Sequence, residues 1–292
     1  MFSIPLPDRL AKAFLDDRLF ARAYARTDPA VRAWVKTLGA GLHPLMDPHG
    51  LAARSGTSTW DNGFTLDTCG APVEAVVLFL DQTLDSPAQA AAAALPAVLA
   101  GAAATLAVRL GPGGGKADAV LASLELCGLE QVCRLDRART CELLDILAAL
   151  PGGAAALFLG AGRTLRDLSG RAAALPRLGL WRRAPVERIG VFDPDRSLDL
   201  AALRLMHPSA RLEVWPRRGK SGLPEGALVR HGAFPAFLEQ GYAAVCVSRD
   251  LIPAALERSL LVLGPGAEGC FAWPGLVPGL FLRRGLALRR DS

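Results

Sequence analysis

Lysine is nearly missing from this sequence. Lys12, Lys36, Lys116 and Lys220 are the only four among 33 basic residues, and arginine supplies the rest. In a chain rich in alanine, glycine and proline, a formal charge of +5 built this way reads as background composition, not as a phosphate-gripping face. Acidic and basic residues also alternate, as in Asp16-Asp17-Arg18 and Asp136-Arg137, so no nucleic-acid partner is expected. Histidine is scarce too: His43, His49, His207 and His231 stand alone, with no pair at the helical spacing of metal ligands. The six cysteines (Cys69, Cys127, Cys133, Cys141, Cys246, Cys270) include no C-x-x-C pair, which predicts buried free thiols in a reducing cytoplasm. Pro5, Pro7, Asp8 and Arg9 leave no apolar run for a signal peptide. The most apolar stretch, residues 88–108, is mostly alanine and is broken by Gln89, Pro96 and Gly101. It reads as a buried helix followed by a strand, and no membrane partner is expected.

What is present is a chain of 292 residues, 51% hydrophobic and 21% charged, which excludes disorder and allows one large domain or two modest ones. No repeat of 20 to 50 residues is found. The first sixty residues carry helical spacing, with Leu10, Phe14, Leu19, Phe20, Ala23 and Tyr24, then Asp28-Pro29 opening a second helix through Val31, Trp34 and Leu38. Residues 39–63, rich in Gly, Pro, Ser and Asn, read as a loop. From residue 74 strands alternate with helices: strands over 74–80, 104–110, 130–135 and 154–159, helices from 87, over 116–127 and over 140–150. After a loop at 176–185 a second series follows, with strands at 187–192, 211–215 and 243–247 and helices at 198–206, 233–241 and 251–259. Such alternation predicts right-handed βαβ units and parallel sheets covered by helices. The expected domains are a helical arm and crossing loop (1–70), a first α/β domain (71–172) and a second (173–292).

Three local features suggest chemistry. The loop Gly111-Pro112-Gly113-Gly114-Gly115-Lys116 follows a strand and precedes a helix, where backbone amides can cradle phosphate. It has one residue too few for a Walker A loop, Ala117 stands where Ser or Thr belongs, and Lys116 replaces the third glycine of a dinucleotide fingerprint, so it reads as a turn. Cys270 follows Glu268 in a glycine-rich segment, which suits a thiol nucleophile with a carboxylate base if the surroundings lower the thiol pKa. Phe271, Trp273 and Leu276 point instead to an apolar surround. A zinc site built on histidine needs ligands converging from distant segments.

The stretch from Ala94 to Gly162 resembles histidinol dehydrogenase, a family of the aldehyde-dehydrogenase-like α/β superfamily. Residues 94–101 match its A-x-P-A-x-x-A-G helix, residues 120–132 its helix-to-strand passage, and Phe158-Leu159-Gly160-Ala161-Gly162-Arg163 its strand and G-P-G-N turn. Further on, residues 184–188 fall at its G-P-S-E-V, and Leu203-Arg204-Leu205-Met206-His207-Pro208 at its Q-A-E-H-D-P. The resemblance implies cofactor contacts at Leu78 or Phe79 (with 81–83 replacing the family's glycines), at Arg139, and around Gly160, Gly162 and Arg163. The substrate serine becomes Val186. The zinc-sharing Gln becomes Arg204, while His207 keeps the place of the second ligand. The family's P-E-H falls near Pro265-Gly266-Ala267-Glu268, and its remaining Asp and His ligands would lie beyond Ser292.

The sequence therefore predicts an α/β fold of two consecutive three-layer, Rossmann-like parallel-sheet units with an N-terminal helical arm. Its candidate catalytic residues are His207, Glu268 and Cys270, and its candidate cofactor contacts are Arg139, Gly160, Gly162 and Arg163. Zinc and histidinol oxidation are not expected, because three of four ligand positions have changed. The first expectation is a repurposed dehydrogenase scaffold keeping a cleft for a small molecule or nucleotide. The alternative is an active NAD(P)-dependent oxidoreductase with Cys270 as nucleophile and an arginine reading a cofactor phosphate. The helical arm over 1–60 is the segment expected to pair with a second copy in a homodimer.

Overall fold

The computed structural model describes residues 6–46, 53–111, 116–216 and 222–290. Three helices open the chain: α1 (Asp8–Ala11), α2 (Asp17–Arg26) and α3 (Pro29–Leu42). Asp16 and Asp28 start α2 and α3 by accepting from the amides of Arg18 and Ala30, both at 2.8 Å. Pro29 presets the first turn of α3. Val31, Val35, Leu38 and Leu42 form its buried stripe. This stripe is used within the chain: α2 lies on α5 (Lys116–Leu126), and α3 lies on α5 and on α4 (Pro87–Leu99). The apolar face of the arm is thus consumed in the fold.

A hairpin follows where a loop is predicted over 39–63. β1 (Arg54–Thr59) pairs antiparallel with β2 (Phe64–Pro72), around a turn in which Gly63 has φ +81°. Every residue of β1 is exposed, so no apolar alternation betrays it; Asn62-Gly63 is its one local signal.

The first parallel sheet contains β3 (Ala75–Leu80), β4 (Ala104–Leu110), β5 (Val132–Leu135), β6 (Ala154–Leu159) and β7 (Leu178–Arg183), in the order β5-β4-β3-β6-β7. Besides α4 and α5 it carries α6 (Arg137–Ala149) and α7 (Arg163–Ala173). β3 and β6 are buried at every position, as central strands covered on both faces must be. β7 corrects the predicted loop and boundary at 172: it pairs with β6, so the first sheet ends at Arg183. As an edge strand with two exposed arginines, β7 lacks the apolar run of its neighbours.

The second parallel sheet takes β8 (Arg188–Phe192), β9 (Arg211–Trp215), β10 (Leu228–Val229), β11 (Ala244–Val247) and β12 (Val262–Leu263), in the order β10-β9-β8-β11-β12. Its helices are α8 (Leu200–Met206), α9 (Phe234–Leu238) and α10 (Ile252–Leu256). A last strand, β13 (Leu282–Arg290), runs antiparallel to β2 and completes a three-stranded sheet, β1-β2-β13. This third sheet joins the two ends of the chain and has no counterpart among the sequence expectations.

Helix α4 ties the two parallel sheets together. Its alanines are buried all round, which small side chains permit in a helix pressed on several sides. Residues of both sheets belong to one continuous apolar core with it. Among the described residues, no helix is long and apolar enough to cross a membrane.

Candidate functional site

In both parallel sheets the first strand lies beside the fourth, so the order of winding across the sheet reverses at the β3/β6 and β8/β11 boundaries. Ligands of open α/β sheets bind beyond the carboxyl ends of strands at such points. At the first boundary, β3 runs into Asp81 and β6 into Gly160. The Asp81 carboxylate accepts from the Gly162 amide at 2.7 Å, from the Thr83 amide at 2.9 Å and from the Thr83 hydroxyl at 2.5 Å. Thr83 Oγ1 in turn accepts from the Ala161 amide at 2.8 Å. The glycines permit this closeness: a Cβ on Gly160 would collide with the Asp81 carboxyl, and one on Gly162 would lie 2.5 Å from its Oδ2. Gly162 is the N-cap of α7, so Asp81 also supplies the anion that a helix N-terminus attracts.

Of the other candidate cofactor positions, Arg163 adjoins this turn and the rest lie apart from it. Leu78 and Phe79 are fully buried in β3, and Phe79 stacks on Phe158 with ring centroids 4.7 Å apart. Neither can touch a bound cofactor. Arg139 is exposed in the first turn of α6, 3.9 Å from Asp136, whose carboxylate accepts from the Arg139 amide at 2.8 Å. Arg163 is exposed at the first residue of α7. β5 and β6 are three strand spacings apart, roughly 14 Å. Arg163 is thus next to the turn, while Arg139 lies strands away from it. The core of the glycine loop, 112–115, and His49 lie outside the described residues.

Cys270 meets His207 in the interior between the two sheets, while Glu268 lies at the opposite end of α8 from His207. His207 ends α8 and is completely buried; its Nδ1 lies 3.0 Å from the Ser86 hydroxyl and 3.4 Å from Gln89 Nε2. Phe271 packs on the ring with centroids 5.6 Å apart. Burial pulls the imidazole pKa down to about 4, against the Cys270 backbone and the Asp85 carboxylate, which favour the proton. The Cys270 backbone does so without reaching hydrogen-bond geometry at Nε2, which has no such partner among the described residues. Glu268 is buried and accepts from the Asp199 amide at 3.1 Å, at the start of α8. The Cys270 thiol is held above its ordinary pKa by burial first and by the Glu268 carboxylate second. That is the opposite of the shift a nucleophilic thiolate requires.

Around His207 stand residues that sequence reasoning passed over. Ser86 donates to the Met206 carbonyl at 2.8 Å, and Gln89 holds Val186 by accepting from its amide at 2.9 Å. The Trp273 indole donates to the Gln89 carbonyl at 3.0 Å, and Asp85 accepts from Ser209. The start of α4 thereby docks onto the end of α8. Their one signal in the sequence was polarity inside an alanine-rich run. Arg204, at the position aligned with a zinc ligand, braces the turn after α8 by donating to the carbonyls of Pro208 at 3.0 Å and Ala210 at 2.7 Å. A cavity of about 720 Å³ opens beyond the carboxyl end of β8, lined by Asp193, Arg196, Asp199, Arg204 and Leu223 among others.

All six cysteines are free. Cys69 is exposed on β2, contrary to the expectation of uniformly buried thiols, while Cys127, Cys133 and Cys246 are buried.

No protein-family model and no curated protein sequence matches the chain. Solved structures do match. A histidinol dehydrogenase from Elizabethkingia anophelis aligns over 100% of this chain and 79% of its own, with a TM-score of 0.59 and 10% identity. A protein assigned as an aldehyde dehydrogenase from Bacillus subtilis subsp. subtilis strain 168 aligns over 94% of this chain and 81% of its own, at TM-score 0.51 and 12% identity. The chain has the α/β fold of that dehydrogenase superfamily; identities this low speak for the fold alone.

The residues present do not fit the groups that fold suggests at the places the resemblance marks. A cofactor phosphate at the Gly160–Gly162 turn would face the Asp81 carboxylate, which already holds the amide. For zinc, Arg204 is a cation tied to carbonyls, and no three His, Cys, Asp or Glu side chains gather among the described residues.

Proposed function

We propose that the chain is a repurposed dehydrogenase scaffold that neither oxidises histidinol nor transfers hydride to a nicotinamide cofactor. The observation that carries this reading is Asp81, whose carboxylate fills the anion position at the switch point of the first sheet. The raised Cys270 thiol and the internally bonded His207 support it, since a nucleophile and a base need the reverse settings. On this reading His207, Ser86 and Gln89 act as a polar pin between the two α/β units. Small-molecule binding then belongs to the open cavity beyond β8, with acidic and basic side chains on its walls.

The approach of Cys270 to His207 favours a second reading, an active NAD(P)-dependent oxidoreductase working on an aldehyde through Cys270. Incubating the purified chain with NAD or NADP and histidinol, or a panel of aliphatic and aromatic aldehydes, separates the two. The proposal expects no reduced cofactor above a protein-free control. Turnover that disappears in Cys270→Ser would replace it with the second reading.

A further inference from the structure

Sheet two carries a charged cluster that this function does not use. Glu213 of β9 is fully buried, and its register partner on β8 is Gly190. Arg188 of β8 donates Nε to Glu213 Oε1 at 3.1 Å, and Nε of Arg211 lies 3.1 Å from the same oxygen. Arg230, just past β10, donates Nε to Oε2 at 2.9 Å, and the Tyr242 hydroxyl donates to Oε2 at 3.0 Å. The Trp215 indole donates to that hydroxyl at 3.0 Å, and the Arg188 guanidinium sits 5.0 Å from the Tyr242 ring centroid. Gly190 makes room for the ring, since a Cβ there would collide with it.

Two features set this apart from an ordinary buried ion pair. One carboxylate balances one guanidinium, so three arginines leave the cluster with two positive charges in excess. Each arginine also meets Glu213 through Nε, which leaves at least one terminal Nη of each planar guanidinium on the edge away from that contact. The three side chains remain 38%, 51% and 46% exposed, and among the described residues none of them pairs with a second carboxylate. The rotamer freedom an arginine gives up on seizing an anion has here been given up on folding. Guanidinium forks match the oxygens of a phosphoryl group, and a dianion answers the residual charge. Arg188 and Arg211 begin their strands, Glu213 lies mid-strand, and Arg230 follows the carboxyl end of β10, so the cluster runs along the sheet from strand starts to strand end.

We propose that Arg188, Arg211 and Arg230 form a binding site for a phosphoryl group, with Glu213 as the internal anchor that aims them. Calorimetric titration of the full chain with inorganic phosphate, against chloride at matched ionic strength, tests it. Saturable one-to-one binding is expected, weakened at least about tenfold by Arg211→Met and by Arg188→Met. Either variant leaves two arginines and Tyr242 on Glu213, and its thermal melt confirms that it folds. Absence of saturable binding, or an unchanged affinity in both variants, would overturn the proposal. The same group could be borne by a soluble phosphate ester or by a phospholipid headgroup. Sedimentation with phosphatidylcholine vesicles carrying phosphatidylinositol 4-phosphate, lost in Arg211→Met, assigns it to lipid; sedimentation no greater than with plain vesicles assigns it to a soluble ester.

Discussion

Acidification from neutral pH to about 5 should destabilise this protein through His207. Its ring is wholly buried, and burial lowers the pKa from 6.5 to about 4, with Arg204 adding to the effect. On acidification the unfolded chain therefore takes up the proton first. The stability carried by the neutral ring is complete above pH 6.5, is lost as the pH falls toward 4, and changes no further below that. One pKa unit is worth about 1.4 kcal/mol, so the full effect is roughly 3 kcal/mol, of which about 2 kcal/mol is lost by about pH 5. That is a large share of a typical net stability of about 5–15 kcal/mol. Urea unfolding at about pH 7.5 and about pH 5, for the wild type and His207→Phe, isolates the contribution because carboxylate effects cancel in the difference. The wild type should lose about 2 kcal/mol more than the variant between the two conditions. Equal losses, within about 0.5 kcal/mol, would refute the assignment of His207 as a buried neutral pin.

Asp81→Ala removes the acceptor of three hydrogen bonds and the cap of α7, and should cost about 2 kcal/mol in urea unfolding. Gly162→Ala drives a methyl against the same carboxylate, 2.5 Å from Oδ2, and should cost roughly 1–3 kcal/mol. In Asp81→Ala the obstacle is gone, so the added cost of Gly162→Ala should shrink by at least about 1 kcal/mol, measured as a double-mutant cycle. Alkylation with iodoacetamide at neutral pH, followed by mass spectrometry, should mark the exposed Cys69 first and leave Cys270 behind it, because burial and Glu268 hold the Cys270 thiol above its ordinary pKa. Cys127 and Cys133, buried and pushed up to about 12, should label only on unfolding.

The strands that the sequence displays are those the sheets bury: β3, β4, β6 and β8 are short apolar runs because neighbours cover both faces. β1 and β13 escape notice for the converse reason, being largely exposed and paired through β2 across almost the whole chain. β7 sits at an edge between prolines, where half its pattern faces out. The site divides in the same way. His207, Glu268 and Cys270 were visible as chemistry-bearing residues, and the fold brings Cys270 to His207; what silences them is burial and distant partners, which spacing does not encode. Asp81 shows in the sequence only as a departure from a glycine-rich turn. Its meaning depends on Gly160 and Gly162, which the parallel pairing of β3 with β6 brings alongside it. Gln89 reads as an interruption of an apolar run until Val186, His207 and Trp273 stand around it.

The central claim is that Asp81 occupies, from within the chain, the anion position that a cofactor phosphate would need. Calorimetric titration of NAD and of NADP into the wild type and into Asp81→Ala puts this to the test. The account predicts no saturable binding to the wild type at cofactor concentrations up to about 1 mM, the weak end of the useful affinity range. Tight one-to-one binding to the wild type that weakens on removal of Asp81 would contradict it, because the carboxylate would then be helping the cofactor to bind.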